Sequence, residues 1–392
     1  MVVANIKKLT REQIIENARQ IRDEVAKVAI ETEKRGNISD EIVKKLCEAG
    51  FFSAMTPSEF GGHEMPLDVV FDICDYIGQG CVSTAWVTCL VSVHNWMVGL
   101  FPWEAQREVF ADNNYNLVSA TFSPKGKAIK TQGGYILTGR WPFITGVKHD
   151  SWVIVGGMYL PNSPDEKPVP KVFLLPQKEV EILDTWYVSG MKGTGSNDIQ
   201  INEVFVPEYR VVNLIDLLNG NSPGSKVLKS TNFQWCVAPV TALSGTAPAI
   251  GAAKRVIQIY KDKLHSFLDK NVEVRQTALV RLSDIMVRLE TVELLMRDSI
   301  KDMILKTETR SLTLNDRAKY RVQCTLAVKE CKSIINEVLD VMGSRSHYLT
   351  EELQRFARDI AMIYSHIMLD FDGANEVYGK LQLGLPHNTP II

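Results

Sequence analysis

The apolar periodicity of this chain changes twice, and that double change limits the folds open to it more than any single motif does. Residues 10 to about 112 repeat apolar side chains at helical spacing. Ser39 followed by Asp40 and Glu41 reads as an N-cap with an acidic first turn, and Gly50 as the C-terminal cap of the same segment. Residues 68–77 and 84–101 are further helical candidates, separated by Gly78, Gly80 and Ser83. Near Asn116 the pattern gives way to short β-branched and aromatic runs at 117–122, 128–131, 135–140, 152–159, 171–175 and 199–206. From about Lys226 the 3.6-residue period returns in four long segments, 239–268, 272–305, 314–342 and 350–383. The expected class is α+β: an N-terminal helical domain at 1–115, a middle β domain at 116–225 and a C-terminal four-helix bundle at 226–392.

Composition narrows the function classes. A chain of 392 residues with 45% hydrophobic side chains can bury a large core. The net charge of -2, with 23% charged residues, comes without a basic stripe, so neither nucleic acid nor a membrane surface is an expected partner. Seven scattered cysteines, never in a CxxC pair, lead us to expect reduced, mostly buried thiols and a cytoplasmic location. Residues 1–11 lack the apolar region and cleavage site of a leader, and no run approaches the roughly 20 apolar residues of a bilayer span. Gly193-x-Gly195 lacks a third glycine, so a nicotinamide site is not expected; with no HExxH and no clustered Cys/His set, no metal is expected. Residues 162–167 read as a solvated, charged loop.

Near the C-terminus, titratable groups recur at a spacing that surface solvation does not require: Met342-Gly343, then Glu352, Arg355 and Arg358-Asp359, then His366, then Asp372-Gly373-Ala374-Asn375-Glu376. Together with Trp141-Pro142-Phe143-Ile144-Thr145-Gly146, Met191 to Ser196 and Val204-Phe205-Val206-Pro207, this constellation resembles the acyl-CoA dehydrogenases. Gly61-Gly62-His63-Glu64-Met65-Pro66, Ser83-Thr84-Ala85-Trp86, His94, His149-Asp150, Trp186-Tyr187 and His366 carry a finer resemblance. It is to the oxygenase components of two-component, reduced-flavin-dependent monooxygenases, the 4-hydroxyphenylacetate hydroxylases among them. The likeness runs from about residue 12 to 385 and implies a barrel-like middle domain.

That resemblance implies a reduced flavin, FMN or FAD, with O2 as co-substrate, and oxygen transfer through a flavin C4a-hydroperoxide. It also implies a separate NAD(P)H flavin reductase and a homotetramer with flavin sites between subunits. Such an adduct survives only where water is excluded and the flavin N5 proton is held. Thr145 is the candidate for the N5 partner, the alternative being an ordinary strand-end hydroxyl. His366, read as lying inside an apolar helix, is the candidate for assisting at the oxygen, the alternative being a packed core histidine. Trp141, Phe143, Thr145, Gly146, Thr121, Ser123 and Ser196 are the implied flavin contacts. Gly343 and Ser344, from the same or a second subunit, would meet its tail.

His94, Trp96, Ala120, Phe122 and Trp235 are the implied substrate walls; helix packing is the alternative for His94 and Trp96. The 4-hydroxyphenylacetate hydroxylases hold a carboxylate with an arginine where this chain reads Gln234-Trp235-Cys236, so a neutral aromatic or heteroaromatic substrate is expected. Asp372 falls where acyl-CoA dehydrogenases place their base and nitroalkane oxidases an aspartate. An FAD-bound dehydrogenase or oxidase using Asp372 is therefore the second reading, and a flavin-free helical scaffold the third. Arg275-Gln276-Thr277-Ala278-Leu279 departs from the dehydrogenases' Arg-x-x-Phe-Gly segment, which weakens the case for tightly held FAD.

Overall fold

The computed structural model describes residues 8–161 and 167–386, so most of the charged loop read at 162–167 lies outside the described residues. Five helices come first: α1 (Arg11–Arg35), α2 (Asp40–Glu48), α3 (Leu67–Gly80), α4 (Val82–Val98) and α5 (Trp103–Val109). Thr10 and Gln13 start α1 with a reciprocal capping box, and Ser39 caps α2 through the Ile42 N–H. Ile14, Ala18, Ile21 and Val25 form the one buried stripe of α1, whereas α3 and α4 are buried on nearly every side. Small residues set how closely α3 is clasped. A Cβ on Gly80 would sit 2.3 Å from the Arg22 carbonyl oxygen of α1, and one on Gly251 would sit 2.2 Å from the Asp75 carbonyl oxygen.

Seven strands follow: β1 (Val118–Thr131), β2 (Gly134–Ile144), β3 (Trp152–Tyr159), β4 (Val169–Pro176), β5 (Glu181–Leu183), β6 (Asn197–Pro207) and β7 (Val211–Asn213). They pair as one sheet in the order β5-β6-β2-β1-β3-β4-β7, with β1 and β3 parallel. The two runs read at 117–122 and 128–131 are one strand, interrupted by a register shift between Thr121 and Gly126 that hides its continuity from a period-two reading. The sheet curls around a core of its own: Tyr135 of β2 packs edge-on against Phe173 of β4, 5.8 Å away although β1 and β3 lie between those strands in the pairing order.

The remaining helices are α6 (Leu214–Leu218), α7 (Val237–Ser244), α8 (Ala247–Leu268), α9 (Gln276–Thr309), α10 (Leu314–Val341), α11 (Glu352–Tyr364) and α12 (Phe371–Gln382). Two of the four expected long segments are broken, one at Gly245-Thr246 and the other at residues 365–370. Helices from the front and back of the chain share one continuous core, and the helix-facing side chains of β1, β3 and β4 join it. Among the described residues no helix is long and apolar enough to cross a membrane.

A line of charges seals the crossing of α1, α3, α8 and α9. Arg11 pairs with Asp68 at 2.6 Å, Arg297 with Asp72 at 2.7 Å and with Glu293 at 2.8 Å, and Lys254 with both Glu293 (2.8 Å) and Asp75 (2.6 Å). Asp75 is only 3% exposed, so its charge depends on Lys254. Removing one member of such a pair leaves an uncompensated buried charge. Lys254→Met is expected to cost about 3 kcal/mol in urea unfolding. Adding Asp75→Leu to it should recover much of that loss; a double variant as unstable as Lys254→Met alone would contradict the pairing.

Candidate active site

Helix α4 supplies the wall from which the site is built. Ser83, Val87, Leu90 and His94 recur at helical spacing, and each contact found along this row faces the sheet or its loops. A Cβ on Gly193 would lie 3.1 Å from the Ser83 Cβ, and one on Gly146 would lie 3.4 Å from a Val87 methyl. Leu90 is the one residue of α4 that is not buried. This partly buried leucine, packed against the common core, is the point at which α4 is least enclosed.

His94 closes one end of this row. Its Nδ1 lies 2.8 Å from the Val118 carbonyl oxygen. A carbonyl only accepts, so Nδ1–H donates and Nε2 keeps its lone pair. Burial pushes the pKa of His94 down to about 4, so the ring is neutral at physiological pH.

His366 stands one turn from the other end, its ring 5.4 Å from Trp86 in an edge-on arrangement. It does not lie inside a helix as the sequence suggests: α11 ends at Tyr364, and His366 caps a short 3-10 turn over Ile367–Leu369. The Met368 N–H donates to its Nδ1 at 3.3 Å, which replaces a backbone bond and stops the helix. The proton of the neutral ring is therefore on Nε2. Burial brings this pKa down to about 4 as well. The two imidazoles are thus both neutral, one presenting a lone pair and the other an N–H.

Beyond the end of β2, three hydroxyls form a directed chain. Thr194 donates to the Met191 carbonyl at 2.8 Å, Ser196 lies 2.7 Å from Thr194, and Thr145 lies 2.9 Å from Ser196. Each hydroxyl has one proton. Thr194 spends its own on Met191, so Ser196 donates to Thr194 and Thr145 to Ser196, leaving Thr145 Oγ1 only lone pairs for a ligand. The turn is held on two more sides, by Ser119, whose hydroxyl donates to the Thr145 carbonyl, and by the Gly146 N–H, which donates to Thr194 O at 3.0 Å. Gly146 has φ +79°, a conformation that favours glycine. A register shift between Trp141 and Ile144 throws the Phe143 ring outward, 62% exposed and edge-on to Trp186.

Several expected contacts are placed elsewhere. Trp141 is fully buried in the sheet's own core, donating to Gly156 O at 2.7 Å with its ring against Gly126 and Gly139, so its side chain faces no ligand. Trp96 and Trp235 form a buried pair 6.4 Å apart. Trp96 lies two residues, about 200° around the helix, from His94 and packs on another side of α4, where it donates to Asn232 O at 2.9 Å. Ala120 and Phe122 do face the helices, while Thr121 and its partner Val155 turn to the sheet core; Ser123 lies within the register shift. Gly343 and Ser344 form an exposed turn after α10. Asp372 is exposed in the first turn of α12, where an acidic side chain favours the helix dipole. Residue-by-residue reading missed Trp86 and Leu90 as candidate walls; their spacing of four and eight residues before His94 is the signal that reveals them.

Comparison with known proteins gives this geometry a context. Residues 9–112 match the family "Acyl-CoA dehydrogenase, N-terminal domain" and residues 243–371 match "Acyl-CoA dehydrogenase, C-terminal domain". The chain is 31% identical to a pigment production hydroxylase of a Rhodococcus species, over 98% of this chain and 100% of that one. It is 26% identical to the oxygenase component of p-hydroxyphenylacetate 3-hydroxylase from Acinetobacter baumannii, over 97% and 91% of the two chains. The crystal structure of the HsaA monooxygenase from Mycobacterium tuberculosis superposes with a TM-score of 0.91 at 26% identity, covering 98% of this chain and 100% of that one. The chain belongs to the flavin-dependent monooxygenases of the acyl-CoA dehydrogenase fold.

The two rings differ in what they offer, a lone pair on His94 Nε2 and an N–H on His366 Nε2. NMR of the imidazole nitrogens should show Nδ1–H for His94 and Nε2–H for His366, with neither ring protonating until the pH falls to about 4. Titration of either near its ordinary value of about 6.5 would contradict the burial argument.

Proposed function

We propose that the chain is the oxygenase half of a two-component monooxygenase. It takes reduced FMN or FAD from a separate NAD(P)H flavin reductase and, with O2, hydroxylates a small, uncharged aromatic or heteroaromatic substrate. The observation that carries this reading is the pair of neutral histidines, His94 able to accept and His366 able to donate, one at each end of the α4 stretch whose least enclosed residue is Leu90.

The donor set fits a reduced flavin. Thr145 Oγ1 is left with lone pairs only, which suits an N–H at the ring's centre, and the backbone at Phe143, Thr145 and Gly146 with Ser196 beside it would cradle the ring. When bound, that group supplies the two electrons which, with O2, furnish the transferred oxygen atom. The protein's share is placement and protection. His94 Nε2 accepts from a substrate O–H or N–H and enriches the ring in electrons, and His366 Nε2–H donates toward the delivered oxygen. Trp86, Val87 and Leu90 keep water away.

The same groups support an uncharged substrate. His94 and His366 are held neutral, and Val87, Leu90, Ala120 and Phe122 bring no cation to answer a carboxylate. The dehydrogenase or nitroalkane-oxidase reading rests on Asp372, whose exposed position lacks the enclosure a carbon-acid base needs. We propose a cytoplasmic homotetramer. On α9, Val280, Val287 and Leu294 stand exposed seven residues apart, a seam suited to another copy, and the Gly343-Ser344 turn with exposed Tyr348 and Leu349 would reach a neighbour's flavin tail.

The test mixes the protein with a flavin reductase, NAD(P)H, flavin and a panel of phenols and indoles. His94→Ala is expected to lower product formation about a hundredfold while flavin oxidation continues and releases hydrogen peroxide. Equal product from variant and parent, or product from no ring compound, would remove this assignment. Val287→Glu with Leu294→Glu should shift the native mass in light scattering from tetramer toward smaller species; an unchanged mass would place the subunit contact elsewhere.

A further inference from the structure

Behind the Thr145 turn lies a carboxyl group that the reading above does not use. Asp150 follows the 3-10 turn Val147–His149, and both of its carboxyl oxygens are shut away from water with no hydrogen bond of regular geometry. Its polar neighbour is Ser119, whose hydroxyl and backbone N–H both act on it while the hydroxyl also donates to the Thr145 carbonyl. The charges around it are engaged elsewhere. Lys148 pairs with Asp184 at 3.7 Å and Lys44 with Glu48 at 3.7 Å, while His149, whose pKa burial lowers, donates from Nε2 to Ile38 O at 2.9 Å. Glu179, ahead of β5, acts on Arg210. Among the described residues no cation acts on Asp150.

A carboxylate shut away from water and from cations is too costly to keep ionised, and it takes up a proton instead. We infer that Asp150 is a positioning residue which, as a neutral acid and through Ser119, holds the Thr145-Gly146 turn where the reduced flavin is seated. This rests on the flavin reading proposed above and extends it to a residue outside the ligand's reach. Burial pushes the Asp150 carboxyl up to about 8, against a smaller downward pull from Ser119. Losing that proton places a negative charge behind a carbonyl that already points its own negative end toward Ser119. The charge repels that carbonyl and any anionic ring in front of it.

The linkage has a definite sign. Between the ordinary carboxyl value of about 3.9 and about 8, the folded state keeps a proton that the unfolded chain releases. The stability due to this group is complete at acid pH and drains away as the pH rises to about 8. Asp150→Asn removes the drain, so its melting temperature minus that of the parent should grow from pH 5 to pH 8.

The deciding experiment is an anaerobic titration with reduced FMN, and reduced FAD in parallel, between pH 6 and pH 9. The parent should bind more weakly, by about tenfold, once the pH passes the Asp150 pKa. Asp150→Asn should match the parent at pH 6 and stay level to pH 9. Asp150→Ala should be weak throughout, and adding Ser119→Ala to it should weaken binding no further, since the two act in series. The inference is overturned if Asp150→Asn follows the parent's pH curve, or if Asp150→Ala binds like the parent at pH 6. A parent that binds neither reduced flavin at any pH overturns the flavin reading and takes this role with it. The melting series, which needs no flavin, then shows separately whether Asp150 holds its proton.

Discussion

A helix buried on nearly every side must find partners for the polar atoms it carries, and α4 finds several of them in the backbones of other segments as well as in its own. Ser92 donates to Phe51 O, Asn95 exchanges hydrogen bonds with Asn116 at both its N–H and its carbonyl, His94 donates to Val118 O and Trp96 donates to Asn232 O. Each such bond adds about 1 kcal/mol, but leaving one unmade in the interior costs about 1–3 kcal/mol. These bonds tie α4 to the helices before it, to the start of β1 and to the approach to α7. The position of the sheet over the bundle follows from that set of side chains. One of them also decides which nitrogen of His94 carries hydrogen, so the scaffold and the chemistry share an atom.

Charge is kept out of this region by two opposite shifts that converge. His94 and His366 are pushed down and stay uncharged as bases, while Asp150 is pushed up and stays uncharged as an acid. The histidines favour folding at higher pH, where the unfolded chain gives up its protons too; the aspartate favours folding at lower pH. Near neutrality all three groups are uncharged. A reaction that must keep water from a reactive oxygen benefits from such a wall, because ions draw water with them.

The order of the architecture was legible because long helices and alternating strands repeat their signal many times. Details that depend on a single contact were not. The three-residue strands β5 and β7 are too short to show a period, and β1 conceals its continuity at the shift before Gly126. His366 seemed helical because Ile360 to Met368 is apolar, yet one side-chain bond to Met368 N–H ends the helix. Thr145 and His94 were reached through resemblance, and their roles as acceptors become derivable only once their partners are known. Trp96 and Trp235 were assigned by residue type, which cannot say which side of a helix a large ring occupies. His149-Asp150 entered only as part of the resemblance, because the burial of the carboxyl beside Ser119 depends on contacts that the sequence does not display.

The stripe from Trp86 through Leu90 to His94 also works as a ruler. Eight residues of helix rise about 12 Å, and a rigid, fully packed helix cannot stretch. A molecule anchored at His94 and attacked near the ring beside Trp86 must therefore fit a fixed length, whatever its shape across. Exchanging the middle side chain alters only girth. Relatives that accept longer ring systems would need to move an anchor by a whole helical turn, so length preference should change in steps whereas tolerance of bulk should vary smoothly.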